Sequence, residues 1–89
     1  MKAVQQTIDR CGLSHSDFAA ICGVSRIMVI RYIHHGAKPQ GNNSRRITAA
    51  LKLLDSLAAQ GKLPLPEGST KERRHKAVQK IKAHLDARS

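Results

Sequence analysis

Glycines at positions 12, 23, 36 and 61 cut the first sixty residues into short pieces. Each piece carries apolar residues at a helical period, and none shows the alternation of a strand. A chain divided in this way can pack short helices against one another and build little else. The first piece, about Lys2 to Cys11, puts Val4, Ile8 and Cys11 on one face, and Gly12 follows as a C-terminal cap. The second begins at Ser14, an N-cap residue with Asp17 three places on in a capping-box arrangement. It buries Phe18, Ala19 and Cys22 and stops at Gly23. The third is capped by Ser25 and runs to about His35, with Val29, Tyr32 and Ile33 inward and Gly36 at its end.

A polar loop, AKPQGNN, follows, where Pro39, Gly41 and two asparagines block helix. A fourth helix starts near Asn43 or Ser44. It places Ile47, Ala50, Leu51, Leu54, Leu57 and Ala58 at i, i+3, i+4 spacing, and Gly61 ends it. LPLPEG is then a stiff spacer, because its two prolines cannot continue a helix. Ser69 with Glu72 forms a second capping box for a fifth helix, from about Thr70 to Ala87, with Ala77, Val78, Ile81 and Leu85 on one stripe. The expected fold is all-α, with four to five helices. Residues 1–62 form the main domain, 63–69 a proline-containing linker and 70–87 a basic amphipathic helix.

The charge points to the class of partner. Sixteen Lys and Arg oppose six Asp and Glu, a net +10, and seven of the cations lie between Lys71 and Arg88. Such an excess calls for a polyanion: nucleic acid first, an acidic membrane surface or acidic protein second. Phe18 and Tyr32 are the only aromatics, which argues against modules that stack unpaired bases on exposed rings and leaves duplex DNA as the better fit. Leu, Ile, Val and Phe total 20 of 89 residues, a modest core with no surplus for a large substrate-enclosing pocket. There is no run of about 18 apolar residues, so no membrane span is expected. The N-terminus, MKAVQQTIDR, lacks the apolar stretch of a secretory signal. Cys11 and Cys22 show neither metal nor redox spacing and lie on apolar stripes, so they read as buried thiols in a cytosolic protein.

The segment from His15 to His34 concentrates the functional signal. Two short helices are joined by a three-residue turn containing Gly23, which supplies the left-handed conformation the turn needs. Ala19 must be small because the helices cross beside it. Phe18, Cys22, Val24, Val29 and Tyr32 take the inner faces. Arg26, Ile27, Met28, Ile30, Arg31 and His34 remain outside on the third helix. Large apolar residues flanked by arginines suit a major groove, where arginine forks to guanine and isoleucine meets a thymine methyl.

Leu13-Ser14-His15, Ala19, Gly23-Val24-Ser25, Val29, Tyr32, Gly36 and Pro39, with Ile47 and Leu51 beyond them, resemble the phage repressor and Cro-type helix-turn-helix family, also called the xenobiotic-response-element type. The resemblance covers roughly residues 3 to 60. It implies a lambda-repressor-like domain whose recognition helix, about Ser25 to His35, enters the major groove, usually as a dimer on an inverted repeat. It implies base contacts from Arg26, Ile27, Ile30, Arg31 and His34. It implies phosphate contacts from His15, Ser25, Lys38, Asn42, Asn43, Arg45 and Arg46. His15 stands where the family carries a glutamine, Tyr32 replaces the commoner tryptophan, and Gln40-Gly41-Asn42-Asn43 is an unusual insertion ahead of the fourth helix.

The function expected is a cytoplasmic, nucleoid-associated transcriptional regulator, a repressor or Cro-like protein of phage or bacterial type, without cofactor or metal. Val78, Ile81 and Leu85 are expected to hold a second copy or another partner, since the prolines keep their helix away from the fourth. A competing reading is an antitoxin-type interaction module that binds DNA secondarily. An enzyme is poorly supported: both glutamates lie near the C-terminal segment, and no Ser-His-Asp, phosphate-loop or metal pattern is present.

Overall fold

In the computed structural model, which describes residues 2–65, 68 and 70–88, the described residues form five α-helices and no strand. They are α1 (Lys2–Cys11), α2 (His15–Cys22), α3 (Arg26–His34), α4 (Asn42–Ala59) and α5 (Lys71–Arg88). The local signals explain most boundaries. Gly12 adopts φ 66° after α1. Ser14 and Asp17 close a capping box on α2: Asp17 N–H donates to Ser14 Oγ at 3.0 Å and Ser14 N–H donates to Asp17 Oδ2 at 3.2 Å. One boundary differs from expectation. α4 starts one turn-position earlier than the asparagine and serine signals suggest, behind Gly41 at φ 57°, with no side chain capping it. The expected Ser69–Glu72 capping box involves Ser69, which lies outside the described residues; at the start of α5, Thr70 Oγ1 accepts from Arg73 N–H at 3.2 Å.

One apolar cluster joins all five helices. α1 packs on α4 and α3, α2 on α3 and α4. Val4, Phe18, Val29, Ile47, Ala50 and Leu54 are fully buried at its centre. A polar seam runs beside them: Thr7 Oγ1 donates to Asp55 Oδ1 at 3.5 Å, and Arg10 forms an ion pair with the same carboxylate. Ile21, Leu53 and Leu63 are also buried, beyond the residues the periodicity singles out.

The placement of α5 corrects an expectation. It does not stand away from the rest: it packs chiefly on α2 and also on α4. Val78, Ile81 and Leu85, expected to serve a dimer or partner, are buried within this single chain. α5 is not held apart from α4, because the leucines that follow α4 face inward: Leu63 is buried and Leu65 packs against the cluster. Pro64 comes so near Gly12 that a Cβ there would lie 3.0 Å from the proline Cβ. Arg74 ties the start of α5 to the same corner, donating to the Gly12 carbonyl at 2.9 Å and lying 3.9 Å from Asp17. The radius of gyration, 12.3 Å, matches the value of about 12 Å for a compact domain of this length.

Each stripe residue of α5 contributes about 1.5–3 kcal/mol by burial, and small domains are stable by about 5–15 kcal/mol. A chain ending at Gly68 is therefore expected to lose its cooperative thermal transition, and Leu85→Ala in the full chain to cost about 2–4 kcal/mol. Helical circular dichroism during a melt reads both. A shortened chain that melts as cooperatively as the whole would show that α5 is not part of the core.

Candidate nucleic-acid interface

The turn between α2 and α3 is held by backbone and capping bonds. Gly23 sits at φ 72° as the α2 C-cap, its N–H directed to the carbonyls of Ala19 and Ala20. Val24 N–H closes the motif on Ala19 O at 3.1 Å. Ser25 then caps α3, its Oγ accepting from Met28 N–H at 3.2 Å. Val29 and Tyr32 anchor the inner face of α3, and Ala19, also buried, is small where α2 packs against α3. The orientation of α3 is thus set by buried groups, which leaves its outer face free for other work.

That outer face carries Arg26, Arg31 and His34, all exposed, and Ile27, which is 64% exposed and is the only large hydrophobic residue so exposed among those described. Ile30 is half-buried beside them. Met28, expected outside, is half-buried and packs against the core, because α3 lies deep enough for its first turn to reach other helices. The exposed apolar surface is therefore narrower than the sequence pattern suggests and centres on Ile27. No acidic residue occurs in α3.

His15 is half-buried at the start of α2, and its ring meets that of His34 edge to face with centroids 6.4 Å apart. A phosphate candidate and a base candidate thus adjoin at one margin of the face. Gln5, which sequence reasoning did not single out, stands behind them: its Oε1 lies 3.4 Å from His15 Nε2, and its Nε2 donates to Asp9 Oδ1 at 2.7 Å. The contact spans the turn between α1 and α2, and nothing in the local sequence signals it.

The other candidates gather around the start of α4. Lys38, Asn42, Arg45 and Arg46 are exposed and Asn43 is half-buried. With no side-chain cap, the amides of the first α4 turn are open to an anion, and Arg45 and Arg46 add full charges beside them. Arg46 also lies over Gly23, where a Cβ would collide with its guanidinium. Arg45 and Arg46 share a surface depression with Cys22, Leu85 and Asp86, so the end of α5 reaches this region as well.

Both cysteines are free and buried. Burial pushes the Cys22 thiol up to about 12, partly offset by the Arg46 charge, and raises Cys11 with a smaller opposing effect from Arg10. Because the folded value of Cys22 exceeds the unfolded one near 9, its contribution to stability is complete below pH 9 and is lost as pH rises toward 12. The slope from this group is at most about 1.4 kcal/mol per pH unit. Cys22→Ala should flatten denaturation midpoints measured across that window. In the native protein, neither thiol should react with a thiol reagent at pH 8 at the rate seen after unfolding.

No helix among the described residues is long and apolar enough to cross a membrane. Comparison with protein-family models, with characterised proteins and with solved structures finds no match for this chain.

Proposed function

We propose that the protein is a sequence-specific double-stranded DNA-binding regulator that lays α3 in the major groove. The observation that carries this reading is the outer face of α3: a single strongly exposed isoleucine between exposed Arg26, Arg31 and His34, on a helix whose inner residues are locked. Ile27, set among these cations with half-buried Ile30 beside it, suits a thymine methyl. Arg26 and Arg31 supply the forked donors that recognise guanine, with Ile30 and His34 completing the readers. His15, Ser25, Lys38, Asn42, Asn43, Arg45 and Arg46 supply phosphate contacts that position α3, and the net charge of +10 supplies long-range attraction. One α3 reads only a few base pairs. Two copies on an inverted repeat, with recognition helices about 34 Å apart, give a site of useful length. Because the α5 stripe is buried in its own chain, the contact between copies lies elsewhere.

Selection of bound duplexes from a random pool tests the reading directly. An enriched inverted repeat is expected, and recovery of unrelated sequences would refute it. On the selected site, Arg31→Ala should cost about 1–3 kcal/mol and relax preference at one base position. Arg45→Ala should weaken all sequences about equally and lower the salt slope by roughly one unit. Uniform losses in both variants would mean that α3 is not the reading element.

A further inference from the structure

Apart from Leu85, which retains 6%, residual exposure within the core is largest at one place. Ile81 retains 8% and Leu53 and Leu63 6% each, whereas Phe18, Val29, Ile47, Ala50 and Leu54 retain none. These three line an open groove of about 600 Å³ between the C-terminal half of α4, residues 62–65 and α5, with half-buried Leu57 completing an apolar floor. Grooves of about 300–1,000 Å³ with apolar walls and a few polar groups are the usual form of small-molecule sites. The polar groups here share one sign. Lys62, Lys80 and His84 line the groove, and no carboxylate among the described residues does.

The chemistry narrows the occupant. A second copy of this chain would bring the same three basic side chains to the same edge, on a protein already at +10. A DNA backbone would meet the cations but leave the leucine floor unfilled. An anion attached to an apolar body satisfies both parts. We propose that this groove binds a small carboxylate of the medium-chain fatty-acid class. Its chain lies on Leu53, Leu57, Leu63 and Ile81, and its carboxylate meets Lys62, Lys80 and His84. The site is separate from the face of α3 and stands or falls independently of DNA binding.

Titration of the isotopically labelled full chain with monomeric decanoate, decanol and decyltrimethylammonium, followed by amide chemical shifts, tests the proposal. Decanoate should give saturable shifts confined to residues 53–65 and 77–84. Decanol should bind roughly threefold or more weakly, and the ammonium compound weakest. Lys62 and Lys80 are exposed, so the double variant Lys62→Glu, Lys80→Glu should keep the native spectrum of α1 to α3. It should lose the preference for decanoate while still binding decanol. Absence of decanoate shifts, equal affinity for the three head groups, or an unchanged preference in the double variant would overturn the proposal. Binding to vesicles of anionic phospholipid without binding to free decanoate would overturn it too, in favour of a membrane surface.

Discussion

A helix of eight residues does not persist in water, because nucleation costs more than two turns of hydrogen bonds return. α2 is that short, and four of its side chains, Phe18, Ala19, Ile21 and Cys22, are buried. Its existence depends on neighbours: α3 packs against it, and so do α4 and α5. The capping box at Ser14 and the left-handed turn at Gly23 determine where it starts and stops, while burial determines that it forms. Everything proposed for the outer face of α3 depends on this, since α3 inherits its direction from α2 through a turn of three residues.

Much of this was legible in the sequence, for a physical reason. Caps and left-handed glycines act within a few residues, so Ser14, Asp17, Gly23 and Ser25 can be read without knowing the fold. The inner residues Val29 and Tyr32 and the outer Arg26, Ile27, Arg31 and His34 follow from helical periodicity alone. Less legible were contacts made across the chain. Gln5 reaches His15 across the turn between α1 and α2, and Arg46 reaches Gly23 because α4 starts beside the α2–α3 turn. Met28 looks external by its spacing, yet it packs against the core, since helix periodicity gives an angle and not a depth.

The fifth helix shows the same limit at a larger scale. Its stripe of Val78, Ile81 and Leu85 says that one face must leave water, but it does not say against what. Two prolines suggested separation. The leucines among them decided otherwise: Leu63 is buried and Leu65 packs on the core. The Arg74 bond to the Gly12 carbonyl then secures the docked end. Charge had little say in the choice. The basic residues of α5 are largely exposed, so they tolerate either arrangement, and apolar burial selected the intramolecular one.

The cover for α2 is thus the last of the five helices in chain order. During synthesis the first four helices leave the ribosome while the residues that complete the core are still being added. A nascent chain at that point presents the uncovered side of α2, with apolar surface that α5 will later occupy. Because that surface cannot be finished by anything made earlier, the core closes only once α5 has emerged. Slow decoding of the α5 codons would lengthen the interval in which a chaperone, or another unfinished chain, can reach it first.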